Sequence, residues 1–448
     1  MGRLFGTDGV RGVANAELNC DMALRIGAAA ASVLTGTRRR AVFAVGMDTR
    51  ASSDMLALSV AAGLCSAGAD VIMLGVTPTP AVAYLVGKYK CDAGVMISAS
   101  HNPPEFNGIK LFSGDGMKLP DDLEERIETL IESGAGMDAP PLGAEVGRVT
   151  YAHDRAAGDY TEHLRATAAV SLDGLRIAVD CANGAAAVTA RELFSSLGAE
   201  VYMLGCDTES GNINMGCGST HMELIAGYVA EHTLDAGVAF DGDADRCLCV
   251  DETGALVDGD MIMAICALDM KKRGRLALGG VVGTVMSNLG FIKFCQREKI
   301  GFEATRVGDR YVLEKMLQDS YNLGGEQSGH IIFRDYATTG DGQLTALQLL
   351  SLMRREGRKL SELAAIMTRY PQHMINVPVS ADGKLKFYTD PEVKAAIESA
   401  KAALVDEGRI LVRTSGTEPV IRVMTEGVDE TAIRAAAEKV AAALRTLS

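Results

Sequence analysis

Three aspartates alternate with small residues in one short loop of this chain. Asp241, Asp243 and Asp245 lie in the segment AGVAFDGDADRCLCVDETG, between two apolar runs that predict strands. Carboxylates this close repel one another unless a cation lies between them, and an all-oxygen ligand set favours Mg²⁺ over Zn²⁺. A solvated acidic turn is the alternative interpretation. An EF-hand is disfavoured, because its sixth loop position needs glycine and is Arg246 in this chain.

A second loop with chemical potential follows the apolar strand of GVMISASHNPPEFNGIKLF. Its His-Asn-Pro-Pro segment, residues 101–104, makes the turn abrupt and rigid just after Ser98 and Ser100. A serine held in this way can act as a nucleophile or carry a phosphate, and His101 and Lys110 are near it in the sequence. A plain serine turn is the alternative. The missing GxSxG motif disfavours a hydrolase of the nucleophile-elbow class.

A third loop, in NLGGEQSGHIIF, offers hydrogen-bonding groups that suit a polyol. Glu326, Ser328 and His330 alternate between glycines just before an apolar strand. The charged segment RVGDR, residues 306–310, can add to the same rim. A simple turn explains the pattern equally well, so this loop alone indicates little.

A fourth loop, RTSGTEPVIR, concentrates anion-binding groups in an acidic protein. Two arginines, two hydroxyl groups and a glycine amide make a compact oxyanion-binding set, namely Arg413, Arg422, Ser415, Thr417 and Gly416. An ordinary hairpin with surface arginines is the alternative. Near the N-terminus, the glycine turns of GTDGVRG can also present Arg11 to a phosphate, although that signal is weak by itself.

The elements that must position these loops repeat along the chain. A Val/Ile-rich strand, a glycine-bearing loop, a helix and a second strand occur in residues 41–75, 176–205 and, more loosely, 280–308. Apolar runs of this kind predict strands buried on both faces, and their alternation with helices predicts βαβ units. The last residues, 371–448, lack the repeat and predict a smaller α+β domain of strand, helix, two strands and helix. We therefore expect three related mixed α/β domains and a C-terminal α+β domain.

Four domains, with three boundaries between them, follow from the repeats and from Gly/Pro-rich stretches. The serine loop falls in predicted domain 1–148, the aspartate loop in 149–253, the third loop in 254–370 and the fourth in 371–448. The stretch SGAGMDAPPLGAEVG, which starts at Ser133, predicts the first linker.

Composition limits the partners of the protein. The 448 residues are 48% hydrophobic and carry a net charge of −14, which disfavours nucleic acid and anionic membranes as partners. The sequence has no apolar run near the length of a membrane span and no apolar signal core, so we expect a cytoplasmic protein. The ten cysteines lack the spacing of a zinc site and suit a reducing compartment.

In combination, the motifs resemble those of the α-D-phosphohexomutase superfamily. SASHNP, DGDADR, GEQSGH and RTSGTEP are similar to its phosphoserine, metal, sugar-binding and phosphate-binding loops. They occur in that order, one in each predicted domain, and the resemblance extends over nearly the whole chain. It implies three related α/β domains and a C-terminal domain around a central cleft.

The resemblance also implies an activity. FGTDGVRG and GEQSGH are most similar to the branch of the superfamily that acts on amino-sugar phosphates. We therefore expect glucosamine 6-phosphate and glucosamine 1-phosphate to be interconverted on the way to UDP-N-acetylglucosamine and cell-wall precursors. A phosphoserine and a sugar 1,6-bisphosphate, as activator and intermediate, would carry the phosphoryl group with Mg²⁺ as the cofactor. The expected assembly is a monomer or a homodimer.

Roles for individual residues follow from the resemblance. Ser100 is expected to carry the phosphoryl group and to ligate Mg²⁺ with Asp241, Asp243 and Asp245. Substrate contacts are expected from Arg246, Gly308, Asp309, Glu326 and Ser328. Phosphate contacts are expected from Arg413, Ser415, Gly416, Thr417 and Arg422. The candidates for proton transfer, in no order, are Lys110, His101, His330 and Arg11.

Three alternatives remain open at this stage. A phosphoglucomutase or phosphomannomutase would share the motifs, and Gln327 of GEQSGH is the feature that favours the amino sugar. A Mg²⁺-dependent sugar phosphatase would pass the phosphoryl group to water. A non-catalytic sugar-phosphate sensor is disfavoured, because it needs neither the serine nor three aspartates.

Overall fold

Six strands near the N-terminus form one mixed sheet in the order β1-β5-β4-β2-β3-β6. The strands are β1 (Val10–Val13), β2 (Val42–Met47), β3 (Asp70–Val76), β4 (Ala93–Ile97), β5 (Phe106–Ser113) and β6 (Val149–Tyr151). The helices are α1 (Cys20–Leu34), α2 (Ser53–Ser66), α3 (Thr79–Lys88), α4 (Asp121–Ser133) and α5 (His153–Thr167). The structure is a computed structural model that describes residues 4–6, 8–34, 40–134, 141–209, 211–404, 407–415 and 419–447.

Helices α1 and α2 pack closely because glycine faces backbone on both sides of their contact. A Cβ atom on Gly27 would lie 2.3 Å from Val60 O, and one on Gly63 would lie 2.1 Å from Leu24 O. The alanine-rich face of α1 and the apolar face of α2 join the buried side chains of β2 and β4 in one core. This core gives the end of β4, where the serine loop begins, a rigid base.

Two further sheets follow along the chain. The second, in the order β11-β10-β9-β7-β8, contains β7 (Arg176–Asp180), β8 (Glu200–Leu204), β9 (Ala236–Phe240), β10 (Cys247–Asp251) and β11 (Leu256–Val257), with helices α6 (Ala190–Ser196) and α7 (Met222–His232). The third, in the order β13-β12-β14-β15, contains β12 (Gly280–Thr284), β13 (Gly301–Thr305), β14 (Leu323–Gly325) and β15 (Ile331–Phe333). The remaining helices up to residue 364 are α8 (Gly259–Lys272), α9 (Leu289–Glu298), α10 (Asp309–Asp319), α11 (Gly342–Glu356) and α12 (Leu360–Ala364).

The three sheets share one strand order, which confirms the predicted repeat. The orders β5-β4-β2-β3, β10-β9-β7-β8 and β15-β14-β12-β13 are equivalent. In each, the first strand of the repeat pairs in parallel with the third, and the third pairs antiparallel with the fourth. A hairpin therefore follows the third strand of the repeat in each of these three sheets.

The C-terminal residues form a three-stranded antiparallel sheet in the order β16-β18-β17. It consists of β16 (Gln372–Pro378), β17 (Gly408–Thr414) and β18 (Val420–Gly427), with helices α13 (Ala381–Lys386), α14 (Pro391–Ala403) and α15 (Glu430–Arg445). The predicted α+β domain is confirmed, but α13 was not expected, because its sequence ADGKLK has a central glycine and little apolar periodicity. Ser380 caps this helix by accepting a hydrogen bond from Gly383 N at 3.0 Å.

The described residues group into two units, Met1–Thr284 with Glu303–Ala365, and Val285–Phe302 with Ile366–Ser448. The three predicted boundaries between the four domains remain predictions. One element crosses them: β6 begins just after residue 148, yet it pairs in parallel with β3 of the first sheet. None of the helices that the structure describes is both long enough and apolar enough to span a bilayer.

Asp341 caps helix α11 in the interior of the first unit. Its carboxylate accepts hydrogen bonds from Leu344 N at 2.9 Å and from the Tyr160 hydroxyl at 2.8 Å, and burial raises its pKa from 3.8 to about 6. A carboxyl group with a raised pKa binds its proton more tightly in the folded protein. The contribution of Asp341 to the free energy of unfolding therefore falls as the pH rises from about 4 to 6. The rise in pKa corresponds to a total loss of about 3 kcal/mol.

We predict that Asp341→Asn becomes more stable relative to the parent as the pH rises. Asparagine keeps an oxygen that can cap α11, but it has no charge to desolvate. Thermal unfolding of both proteins at pH 5 and pH 7.5 measures the effect. A difference in Tm between variant and parent that is the same at both pH values would contradict the assignment.

Candidate active site

Three of the four motifs lie at the same topological position in their sheets. The serine loop (residues 98–105) joins β4 to β5, the aspartate loop (residues 241–246) joins β9 to β10, and the glutamate loop (residues 326–330) joins β14 to β15. Each loop is therefore the turn after the third strand of its repeat. The strand order alone explains why each repeat supplies one set of polar side chains.

The serine loop and the aspartate loop meet through their side chains. Ser100 is buried, and its hydroxyl donates a hydrogen bond of 2.6 Å to Oδ2 of Asp241. One carboxylate oxygen from each of Asp241, Asp243 and Asp245 lies within 4.8 Å of the others, and all three residues are buried. Sequence positions 100 and 241–245 thus form one cluster.

The carboxylates of this cluster fit a hard cation. Oδ1 of Asp243 and Oδ1 of Asp245 are buried and have no hydrogen-bond partner among the described residues. Buried carboxylate oxygens normally have a hydrogen-bond partner. Two buried oxygens without one, in the same cluster, are suited to be ligands of a bound Mg²⁺. Burial, together with Asp245 and Asp243, raises the pKa of Asp241 to about 7. Part of the repulsion is therefore relieved by a proton whenever a cation does not relieve it.

Lys110 supplies positive charge to the same cluster. Its Nζ atom lies 2.7 Å from Asp243 Oδ2, 3.0 Å from Asp8 Oδ2 and 3.5 Å from Asp245 Oδ2, and the residue is only 2% exposed. Burial acts to lower the pKa of Lys110, but the three carboxylates outweigh it and hold the pKa well above its ordinary value. Lys110 is therefore a fixed cation of the site.

Charged residues continue from Lys110 around the site with alternating sign. Lys118 bridges Asp8 and Asp309. The imidazole of His330 then lies between Asp309 and Asp245, with nitrogen–oxygen distances of 3.5 and 3.6 Å. Asp8 and Lys118 were missed in the sequence, where they stand in glycine-containing turns without a recognisable spacing. The sequence around each of them shows a charged residue beside a glycine turn and no further local signal.

The two histidines of the site differ in their surroundings. The Nδ1 atom of His101 lies 3.3 Å from Ser100 Oγ, and burial and the cations Arg246 and Arg11 lower its pKa to about 4. His101 is thus neutral at neutral pH. At His330 the carboxylates outweigh burial and raise the pKa, whereas Gly340 N donates a 3.1 Å hydrogen bond to Nε2. The two ring nitrogens of His330 thus have different neighbours, Gly340 N and Asp309 at Nε2 and Asp245 at Nδ1.

Arg11 lies at the edge of the serine loop. Its guanidinium pairs with Asp8 and donates a hydrogen bond of 3.3 Å to the side chain of Asn102. Arg246 is the last residue of the aspartate loop, and its backbone N–H donates to Asp241 Oδ1 at 3.2 Å. Two arginines therefore border the buried carboxylates.

The glutamate loop presents hydrogen-bonding groups beside the aspartate loop. Glu326 Oε1 accepts a hydrogen bond of 3.0 Å from the N–H of Gly308, which precedes Asp309. The hydroxyl of Ser328 is buried and lacks a hydrogen-bond partner within the described part of the chain. Gly329 takes φ +94°, and a Cβ atom there would lie 2.4 Å from Cys247 O. Glycine is therefore required for this close approach.

Backbone hydrogen bonds hold the aspartate loop between the other two repeats. Asp243 O accepts from Thr79 N at 2.9 Å, at the start of α3. Ala244 O accepts from Gly342 N at 3.0 Å, and Cys247 N donates to Gly329 O at 3.0 Å. All three sheets thus contribute to the rigidity of the cluster. Thr79 also donates its hydroxyl to Asp243 Oδ2 at 2.5 Å, a contact that sequence reasoning missed.

The fourth motif belongs to the C-terminal unit. Arg413 on β17 pairs in register with Arg422 on β18, and Ser415 N donates to Val420 O at 2.9 Å. Lys384 of α13 adds a cation, because its Nζ donates to Ser415 O at 2.7 Å. The two strands predicted for this motif are present and bring Arg413 and Arg422 side by side, whereas the oxyanion-binding role of the loop remains a prediction. Gly416 and Thr417 lie outside the described residues.

We predict that Asp243→Asn weakens Mg²⁺ binding by more than about tenfold. The substitution removes charge from an oxygen with no other partner, and even changes around a metal ligand cost 10- to 100-fold in affinity. Isothermal titration with Mg²⁺ measures the effect without turnover. Asp251→Asn is the matched control, because Asp251 closes the turn after β10 by accepting from Thr253 N and Ala255 N. Equal Mg²⁺ affinity in Asp243→Asn and the parent would refute the metal site.

Four domain families match consecutive parts of the chain. Phosphoglucomutase/phosphomannomutase alpha/beta/alpha domains I, II and III match residues 2–136, 158–254 and 258–370. The phosphoglucomutase/phosphomannomutase C-terminal domain matches residues 374–443. The three hairpin loops fall within domains I, II and III, and the fourth motif falls within the C-terminal domain.

Solved structures share the fold over nearly the whole chain. A phosphoglucomutase/phosphomannomutase family protein from Burkholderia thailandensis is 23% identical, with a TM-score of 0.84 and coverage of 99% of this chain and 97% of that one. The N-acetylphosphoglucosamine mutase of Aspergillus fumigatus, solved with GlcNAc-6P and magnesium, is 20% identical, with a TM-score of 0.68 and coverage of 99% and 96%.

Curated bacterial relatives are much more similar in sequence. The phosphoglucosamine mutase of Clostridium novyi (strain NT) is 52% identical over 430 residues, which are 96% of each chain. That of Caldanaerobacter subterraneus subsp. tengcongensis is 52% identical over 441 residues, which are 98% of each chain. The prediction from the four motifs is thereby confirmed: the chain belongs to the phosphoglucomutase/phosphomannomutase family, among its phosphoglucosamine mutases.

Proposed function

We propose that the enzyme interconverts glucosamine 6-phosphate and glucosamine 1-phosphate, with Ser100 as the phosphoryl carrier. The observation that carries the proposal is the hydrogen bond from the Ser100 hydroxyl to Asp241, inside a cluster of three buried carboxylates. The hydroxyl lies beside carboxylates that fit a cation and beside the fixed cation Lys110. The curated relatives at 52% identity bear the name of this activity.

The reaction at Ser100 is a pair of phosphoryl transfers. In the first, the bond from phosphorus to Ser100 Oγ breaks and a bond forms to a hydroxyl oxygen of the sugar phosphate, whose proton passes to a base. The product is a sugar 1,6-bisphosphate. After this intermediate turns over, its other phosphoryl group is returned to Ser100 Oγ and the isomeric monophosphate leaves. No net phosphate is consumed.

The carboxylates and cations have distinct tasks in this scheme. Asp241, Asp243 and Asp245 would hold Mg²⁺ together with the phosphoserine, and the bound ion would supply electrostatic stabilisation of the phosphoryl oxygens. Phosphoryl transfer depends mainly on such positioning and stabilisation. Lys110 adds positive charge to the same cluster, because its ammonium group is held by Asp243 and Asp245.

Proton transfer has candidates of different kinds. His101 is adjacent to Ser100 Oγ and neutral, so it can accept a proton. His330 is oriented by Gly340 N on one nitrogen and Asp245 on the other. Lys110 and Arg11 remain charged and are better suited to stabilising the transferred group than to moving protons.

The sugar and its distal phosphate would be held by the remaining motifs. Glu326 and Ser328 offer an acceptor and a hydroxyl for the ring hydroxyls, near Gly308, Asp309 and Arg246. The distal phosphate would be bound by Arg413, Ser415, Gly416, Thr417 and Arg422, in the C-terminal domain predicted from residue 371. Such a site must accept either end of the bisphosphate, because the intermediate is bound in two orientations.

The cellular role follows from the proposed chemistry. Glucosamine 1-phosphate leads towards UDP-N-acetylglucosamine and cell-wall precursors, so we infer a cytoplasmic enzyme that acts on small amino-sugar phosphates as a monomer or a homodimer. A trace of sugar 1,6-bisphosphate would serve as the activator that loads Ser100.

We predict that ³¹P NMR shows an anomeric phosphate appearing fastest from glucosamine 6-phosphate. The enzyme is incubated with Mg²⁺ and a trace of sugar 1,6-bisphosphate, and glucose and mannose 6-phosphates are run beside it. Faster conversion of glucose or mannose phosphate would support the proposed phosphoryl transfer but contradict glucosamine 6-phosphate as the preferred substrate. Release of inorganic phosphate alone would identify a phosphatase.

We also predict that Ser100→Ala abolishes turnover and leaves the protein folded, because the phosphoryl carrier is lost while the loop keeps its backbone bonds. Ser351→Ala is the control, since Ser351 is a buried serine of α11 distant in sequence from the loops. Steady-state turnover and thermal unfolding are measured for both. Full activity in Ser100→Ala would contradict the proposed mechanism.

A further inference from the structure

A buried arginine lies beneath the serine loop and was not expected from the sequence. Arg50 follows β2 in the segment MDTR, and its side chain is fully buried. An arginine side chain carries five N–H donors in one plane. Buried arginines are rare unless their donors are paired, so the acceptors around Arg50 show what it does.

All five donors of Arg50 have acceptors, and four of these are backbone carbonyls at or next to the serine loop. The Nη2 group donates to Ser100 O and Asn102 O, each at 2.9 Å. The Nη1 group donates to Pro103 O at 2.6 Å and to Phe106 O at 2.9 Å. The loop is thus wrapped around one guanidinium group.

The sequence of the loop explains why it needs an external donor. Pro103 and Pro104 have no N–H groups, so the loop has fewer donors for its own carbonyls than a regular turn, although Phe106 N donates to Pro103 O at 3.2 Å. Ser100 also takes φ +52°, in the left-handed region that a residue with a side chain adopts only when its surroundings hold it there. Arg50 supplies the missing donors at this point.

Asp48 fixes the guanidinium group to the sheet. Its Oδ2 atom accepts from Arg50 Nε at 2.9 Å, and its Oδ1 atom accepts from the Ser53 hydroxyl at 2.6 Å. Asp48 N donates to Ile97 O at 3.0 Å, at the end of β4. The arginine is therefore anchored to the strands on which the serine loop is built, and its charge is balanced.

A second residue, which belongs to another repeat, donates hydrogen bonds to two of the same carbonyls. Asn214 follows β8, and its Nδ2 group donates to Ser100 O at 2.9 Å and to Asn102 O at 3.1 Å. The carbonyl of Ser100 thus accepts hydrogen bonds from both Arg50 and Asn214. The backbone that positions the Ser100 hydroxyl is therefore held by two different side chains.

We propose that Arg50, assisted by Asn214, is a positioning residue for phosphoryl transfer: it holds the serine loop so that Ser100 Oγ stays directed at Asp241 in both the free and the phosphorylated enzyme. The inference rests on the proposed role of Ser100. Each bond from the Arg50 side chain ends on a carbonyl or on Asp48, so it acts through the loop. Lysine keeps the charge but cannot satisfy four carbonyls in one plane.

The test compares Arg50→Lys with the parent enzyme. Single-turnover transfer from ³²P-labelled phosphoenzyme to glucosamine 6-phosphate is measured with steady-state KM, thermal unfolding and the ³¹P NMR signal of the phosphoserine without sugar. We expect transfer to slow by about 100-fold, as a displaced reacting atom can cause, with KM changed less than threefold and the phosphoserine signal shifted or broadened.

Arg334→Lys is the matched control. Arg334 also donates to two backbone carbonyls, Met316 O and Tyr321 O at 3.0 Å each, but these are remote from the serine loop in the fold of the third repeat. It should lower the Tm and leave the transfer rate and the phosphoserine signal unchanged.

Each outcome decides between the alternatives. A lowered Tm in Arg50→Lys with the transfer rate and ³¹P signal of the parent would overturn the proposal and leave Arg50 a purely structural residue. If Arg50→Lys does not fold, Asn214→Gly decides, because glycine accepts the φ of +62° at this position. Parent-like transfer in Asn214→Gly would then overturn it. A parent enzyme without label on Ser100 would instead refute the proposed function.

Discussion

The burial of three carboxylates in one small volume is the constraint on which the rest of the site depends. Asp241, Asp243 and Asp245 are removed from water, and charges without compensation in such a place are very costly. Lys110 compensates part of this negative charge. It stays charged while buried because the aspartates surround it. The carboxylate oxygens that stay unpaired are the ones that a divalent cation would bind. The proposed phosphate chemistry and the balance of buried charge therefore depend on the same cluster.

Repetition of one sheet topology brings the parts of this cluster together. In all three α/β sheets the hairpin after the third strand carries the polar residues, so three copies of one architecture supply three different loops. Each hairpin also contains a residue with positive φ: Ser100, Ala244 or Gly329. Only the last is glycine, and left-handed residues with side chains cost of order 1–3 kcal/mol each. Their conformations persist because neighbouring repeats hydrogen-bond to the loops.

Sequence reasoning predicted the α/β repeats, the C-terminal α+β domain and the residues of the four motifs, because each has a local signal. Strand periodicity, glycine turns and alternating polar residues are all visible within about ten positions. It missed α13, whose six residues show little periodicity, and it did not foresee that β6 extends the first sheet. Short elements of this kind are stabilised by tertiary contacts rather than by propensity.

The sequence alone indicated which chemistry to expect, since the four motifs that hold the serine, the aspartates and the proposed sugar- and phosphate-binding groups resemble those of a known family. Only the tertiary structure decided how they are supported. Lys118 meets Asp309 across 191 positions, and Arg50 meets Ser100 across 50. A lone charged residue carries no mark of such a partner in its own segment. Its role is set by burial, which makes an unpaired charge so unfavourable that packing must provide its counterpart.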